Sequence, residues 1–170
     1  MRIICAGGGP AGLYFAVLAK LANPAHEITV LERNPAGVTY GWGVVFWDDL
    51  LDDLFRCDPV SARMIWDAAW KWDEYEVRAS GKPTTYLGGY GFSMSRRRLL
   101  EILARRATDL GVDIRYEVEL TDESQVAGAD LVVAGDSARS RLRLPGSTCT
   151  GAGESARLSA AKRTFPRKRC

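Results

Sequence analysis

The sequence predicts an α/β fold built on a parallel sheet, and three observations predict it. Residues 2–6 (RIICA) form a short apolar run that ends in glycines. Residues 13–21 (LYFAVLAKL) are apolar over most of their surface and rich in helix formers. Residues 27–32 (EITVLE) alternate and are β-branched. Strand, helix and strand in that order form a crossover, which makes the two strands parallel.

Each element follows from its own residues. The first run is the form of a central parallel strand buried on both faces. Residues 7–12 turn the chain, and the helix after them stops near Asn23-Pro24, because proline cannot continue a helix. Residues 41–46 (GWGVVF) read as a glycine-interrupted apolar loop or strand, and 48–55 as a short helix. Residues 60–72 carry Met64, Ile65, Ala68, Ala69 and Trp72, with Trp66 and Trp70 at i, i+4, an amphipathic helical pattern. That aromatic stripe reads first as core, and second as the wall of a pocket for an aromatic substrate. Residues 75–79 and 84–87, joined through Gly81-Lys82-Pro83, predict a hairpin. Ser95 caps a helix over 96–110 (RRRLLEILARRATDL), with Leu99, Leu100, Leu103 and Ala107 on one face and Gly111 just past its end. Residues 112–120 and 131–134 are further strand candidates, and the whole alternation fits a doubly wound sheet.

Composition narrows the function. With 46% hydrophobic and 26% charged residues among 170, the chain has the balance of one globular domain. It shows no apolar run of membrane-spanning length and no secretory leader pattern, so a cytoplasmic protein without a membrane partner is expected. Cys5, Cys57, Cys149 and Cys170 lie far apart, which suggests neither a zinc site nor a disulfide framework. His26 is the only histidine, which argues against Ser-His-Asp triads and multi-histidine metal centres. No catalytic nucleophile and no metal ligand is therefore assigned. Residues 144–170 carry six basic side chains and one acidic one, while the other 143 carry 17 and 20. The expected organisation is a domain over 1–143, with partial substrate-domain elements around 51–91, and a basic tail over 144–170 with little structure.

Gly7-Gly8-Gly9-Pro10-Ala11-Gly12 fits the pattern G-x-G-x-x-G directly after a strand and opening a helix, the context its mechanism requires. The first glycine permits the turn, the second lets backbone approach a pyrophosphate, and the third lets helix and strand pack closely. Gly7, Gly9, Pro10, Ala11 and Gly12 are thus candidate cofactor-binding positions in a Rossmann-like βαβ unit, with helix N–H groups meeting the phosphates. Glu32 falls 20 residues after Gly12 at the end of the second strand, placed to accept hydrogen bonds from ribose hydroxyls. A carboxylate there would repel a 2′-phosphate, so NADP is disfavoured and NAD and FAD remain. Arg96, Arg97 and Arg98 stand in the first turn of a helix, where cations oppose the macrodipole, and a bound polyanion would offset the cost. No aromatic residues interleave that run, as single-stranded nucleic-acid binding would favour, and no nucleic-acid partner is expected.

On the glycine turn with Glu32-Arg33, on Gly41-Trp42-Gly43-Val44-Val45, and on Gly89-Tyr90-Gly91-Phe92 leading into Ser95-Arg96, the sequence resembles the FAD-dependent aromatic-ring monooxygenases. It looks most similar to the anthraniloyl-CoA and salicylyl-CoA monooxygenases. The resemblance implies FAD as cofactor, NAD(P)H as electron donor and a small aromatic substrate, an acid or its CoA thioester. It further implies that Arg33 belongs to the cofactor site, that Arg96 contacts the flavin cofactor, and that the backbone at Leu120 faces the adenine. The family's D-G-x-x-S-x-x-R signature is matched by Asp136, Ser140 and Arg143, with Ser137 where the glycine should stand. Asp136 would meet the ribityl and pyrophosphate region, and the serine weakens that part of the site.

The resemblance covers about residues 1 to 143 of a family whose members are more than twice as long. A truncation, or a change of reading frame near residues 134–143, would give the abrupt loss of hydrophobic pattern. The expected function is that of the FAD-binding N-terminal part of an NAD(P)H-dependent aromatic hydroxylase, incomplete for catalysis. The alternatives are a non-catalytic flavin-binding fragment and an NAD-linked dehydrogenase domain.

Overall fold

The structure, a computed structural model, describes residues 1–135. The βαβ unit forms as its pattern predicts. Strand β1 (Arg2–Ala6) leads through the glycine turn into helix α1 (Pro10–Ala22), which returns to strand β2 (Glu27–Leu31). β1 and β2 pair in parallel with Ile3 opposite Ile28 and Cys5 opposite Val30. Pro10 takes the first turn of α1, where its missing N–H costs nothing.

A short antiparallel sheet is inserted after β2. It comprises β3 (Gly43–Trp47), β4 (Trp70–Val77) and β5 (Thr85–Ser95) in the order β3-β5-β4. Between β3 and β4 lie helices α2 (Asp48–Cys57) and α3 (Pro59–Ala68). The predicted helix over 60–72 therefore ends early, and Trp70 and Trp72 stand on a strand. From Trp70 the sequence WKWDEYEV alternates with period two, and pairing with β5 decides between the two patterns. The hairpin is longer than predicted for the same reason. Gly91 lies opposite Trp72, and a side chain there would overlap the Trp72 ring, with Cβ 2.3 Å from it. The Gly-Tyr-Gly-Phe run thus makes room for a cross-strand tryptophan.

After β5, helix α4 (Arg96–Asp109) leads to β6 (Asp113–Arg115), and a 3-10 turn (Glu123–Val126) precedes β7 (Leu131–Ala134). The second sheet is wholly parallel, in the order β6-β2-β1-β7. Its order reverses at β1, as in doubly wound folds. The strand predicted over 112–120 is cut to three residues, paired with Thr29, Val30 and Leu31, because the chain turns out of the ladder at Glu117, where φ is +60°.

Alternation along β1 serves two cores. Ile3 and Cys5 face a large cluster with Leu13, Ala16 and Val17 of α1, Ile102, Leu103 and Ala107 of α4, and Phe46, Phe92 and Ile65 from the inserted elements. Ile4 and Ala6 face a smaller cluster completed by Leu31 and Leu120, with Val118, Val126 and Ala129 packed on it. A connecting segment with its 3-10 turn, not an α-helix, covers that second face. Burial pushes the Cys5 thiol up to about 11, which keeps it protonated and inert. Among the described residues no helix is long and apolar enough to cross a membrane, and no group of His, Cys, Asp and Glu could hold a metal.

One buried ion pair ties the helices together. Asp58 ends α2, caps α3 by accepting from the Ser61 N–H at 3.2 Å, and takes two hydrogen bonds from Arg106 of α4, at 3.0 and 2.9 Å. Its side chain is 1% exposed and that of Arg106 14%. Burial alone would push the carboxyl up, but the hydrogen bonds from Arg106 and Ser61 and the guanidinium charge more than offset this and hold it below its usual range. Removing one partner leaves the other buried and unpaired, so Asp58→Ala should lower the unfolding free energy by about 3 to 5 kcal/mol in urea denaturation. Because the folded-state value is depressed, this stabilisation is fully present above about pH 3.8 and is lost as pH falls further. A stability–pH curve should therefore steepen below pH 3.8 in the wild type and lose that part in Asp58→Ala.

Candidate functional site

The site is built on the carboxyl ends of the parallel strands, where ligands meet doubly wound sheets. Gly7 leaves β1 with φ +100°, a conformation that excludes most side chains, and donates its N–H to Leu31 O at 2.8 Å. Gly12 in α1 packs against it so closely that a Cβ on Gly12 would lie 2.1 Å from the Gly7 carbonyl oxygen. Gly8 faces Glu32, and a Cβ there would come within 2.9 Å of that side chain. Gly9 differs from both: a Cβ on it would meet nothing within 4 Å. The Gly9 backbone thus borders open space at the N-terminus of α1, whose first turn carries no acidic residue. A phosphate can approach the amide groups there without displacing protein.

Glu32 is held from two sides. Its Oε2 accepts from the Gly8 N–H at 2.7 Å, and its Oε1 accepts from the backbone N–H and the Nδ2 of Asn34, at 2.9 and 2.6 Å. Oε1 thus has both lone-pair sites taken, and Oε2 keeps one for a hydroxyl donor. A cleft of about 360 Å³ runs past this group, lined by Gly8, Gly9, Glu32, Asn34, Arg96 and Tyr116 among others. Burial pushes the Tyr116 phenol up, and the Glu32 carboxylate beside it adds to the shift.

The three arginines divide. Arg97 and Arg98 both bond Glu101 one turn on, at 2.9 and 3.3 Å, and the two guanidinium groups hold that carboxyl below its usual range. Arg96 is half-buried, lines the cleft, and has no ion pair among the described residues. Its N–H donates to Trp42 O at 3.4 Å, and Gly41, at φ +109°, brings the loop within 3.6 Å of its Cδ when a Cβ is built there. The Gly41-Trp42-Gly43 segment therefore seats Arg96, which leaves its charge facing the cleft.

The remaining candidates do not gather at this cleft. Pro10 and Ala11 border a second, apolar cavity of about 400 Å³ with Val44, Phe46, Leu99 and Leu103. Arg33 is exposed and does not line the cleft. Leu120 is buried in the cluster on the opposite face of the sheet. Asp136, with Ser137, Ser140, Arg143 and the 144–170 segment, lies outside the described residues. Sequence reasoning missed Asn34 and Tyr116. Asn34 carried a signal, an amide two residues after the acid, the spacing of a local side-chain turn; Tyr116 carried none, since its place depends on strand order.

No family model matches the chain. It is 40% identical over 144 residues to a salicyloyl-CoA 5-hydroxylase of Streptomyces sp, a match covering 84% of this chain and 28% of that protein. It is 36% identical over 143 residues to the 3-hydroxy-4-methyl-anthranilyl-[aryl-carrier protein] 5-monooxygenase of Streptosporangium sibiricum, covering 84% and 40%. Among solved structures, 2-methyl-3-hydroxypyridine-5-carboxylic acid oxygenase superposes with a TM-score of 0.61 at 25% identity, over 69% of this chain and 32% of that one. CtdE, solved in complex with FAD, superposes with a TM-score of 0.57 over 72% and 31%, and at 22% identity it shows a common fold only.

The two glycines should separate in experiment. Gly12→Ala forces a Cβ into the Gly7 carbonyl and should cost about 1 to 3 kcal/mol, as overpacking does. Gly9→Ala, in open space and at φ −71°, should stay within about 0.5 kcal/mol of wild type in thermal unfolding. The chain spans roughly a third of the proteins it matches, and over that part it is similar in sequence to a salicyloyl-CoA 5-hydroxylase and an aryl-carrier-protein monooxygenase and shares its fold with an oxygenase.

Proposed function

We propose that this chain is the FAD-binding part of a monooxygenase that hydroxylates an aromatic acid or its CoA thioester with electrons from NAD(P)H. One observation carries the reading: a single cleft joins the open Gly9 turn, the anchored Glu32 carboxylate and the unpaired Arg96. The first two features match the pyrophosphate and the ribose of one dinucleotide, and Arg96 adds a cation to the cleft that receives its anionic phosphates. The names of the relatives support the substrate class, and a neighbour solved with FAD supports the cofactor.

Each residue has a defined task in that reading. The amide groups at the start of α1 bind pyrophosphate oxygens, and the absence of a Gly9 side chain admits them. Glu32 accepts from the adenosine ribose hydroxyls, with Gly8 and Asn34 fixing its orientation in advance. Arg96 contributes a charge-assisted contact to the cofactor. Bound there, FAD would supply the redox chemistry of a nicotinamide- and oxygen-dependent ring hydroxylation. The protein's share is to bind, orient and exclude water, which requires neither a nucleophile nor a metal.

Calorimetric titration with FAD, FMN and NAD tests the proposal. FAD should bind in preference to both, Gly9→Val should abolish that binding without unfolding the chain, and Arg96→Ala should weaken it by about 1.5 to 3 kcal/mol. Preference for NAD would place the cleft in a dehydrogenase instead.

A further inference from the structure

We propose that Tyr116 recognises the base at the adenosine end of the dinucleotide, its ring forming the wall on which the purine stacks. The inference rests on the reading of the cleft as a dinucleotide site and extends it to a residue that neither motif nor resemblance assigns.

Sheet order carries the argument. The phosphate turn follows β1, Glu32 follows β2, and Tyr116 follows β6, and these are three successive strands of one parallel sheet. Neighbouring strands are about 4.8 Å apart, so the strand ends form a track of roughly 10 Å from the phosphate turn to Tyr116. A nucleotide has the same order of parts, phosphate, ribose and base. With its hydroxyls on Glu32, the ribose directs its base toward the next strand end, where Tyr116 lines the cleft. An aromatic ring is the side chain that best meets a base face, since stacking needs no hydrogen-bond match.

The backbone gives an independent observation. Glu117 has φ +60°, the one non-glycine with positive φ among the described residues. Such strain persists only where the surroundings hold it, and it concentrates at binding sites. Here the Glu117 N–H donates to Asn34 O at 3.4 Å and the Val118 N–H to Glu32 O at 3.0 Å. The chain thus turns immediately after Tyr116, leaving its ring at the cleft while Val118 and Leu120 pass to the opposite face of the sheet. A regular strand continuing through this point could not serve both faces in this way.

The test uses the 170-residue chain, with FAD, ADP and UDP titrated calorimetrically into wild type, Tyr116→Phe and Tyr116→Leu. The wild type should bind FAD and prefer ADP to UDP, and Tyr116→Phe should keep both properties. Tyr116→Leu should weaken FAD and ADP roughly tenfold and bring ADP and UDP close to equal, the loss of one stacked base. A nuclear Overhauser contact from the adenine protons to labelled tyrosine, absent in Tyr116→Phe, reads the same contact without depending on how Tyr116→Leu folds. Wild type that binds FAD, with no such contact and with unchanged affinities in Tyr116→Leu, overturns this inference alone. Wild type that binds neither FAD nor ADP overturns the dinucleotide reading and the inference together.

Discussion

The constraint on which the rest depends is the approach of helix α1 to strand β1. The Gly7 carbonyl sits where a Gly12 side chain would be, so the two backbones meet at a distance that only glycine allows. This contact fixes the axis of α1 over the sheet and points its free amide groups along the strand ends. It also settles the core, because Leu13, Ala16 and Val17 then bury against Ile3, Cys5, Ile28 and Val30. From the same geometry Gly8 comes close enough to hold the Glu32 carboxylate. Packing and site are thus one arrangement.

Much of this was legible in the sequence because it is local. The glycine spacing, the apolar run and the acid 20 residues later all lie within one βαβ unit, where hydrophobic period and turn chemistry suffice. The helix over 96–110 was legible likewise, from its cap and one apolar face. What escaped reading depends on partners far away in the chain. Trp70 and Trp72 fit a helical stripe until β5 is there to pair with them. Residues 116–120 fit a strand until the positive-φ turn at Glu117 takes them out of the ladder. Asp58 and Arg106 are 48 positions apart and meet only because three helices converge. Tyr116 belongs with these, since strand order alone brings it beside Glu32.

Charge on α4 illustrates how context resolves a local conflict. Three arginines at a helix start oppose the macrodipole, yet two of them share Glu101 and extend into solvent. Arg97 and Arg96 both line the cleft, but of the three only Arg96 has no ion pair among the described residues. The conflict in the sequence was therefore a pointer to the site, as breaches of local rules often are. Arg106, at the other end of the same helix, favours the dipole and is spent on the buried pair with Asp58.

The central place of β1 has a consequence for how the chain is made. Its partner β2 is synthesised within the first 31 residues, but its other partner, β7, begins only at Leu131. Throughout that interval the nascent chain presents one unpaired edge of an apolar strand, and contacts so distant in sequence form slowly. Closure of the parallel sheet is thus a late event on the ribosome. Chains stalled before residue 131 expose an edge suited to pairing with one another, and holding chaperones have their longest opportunity there.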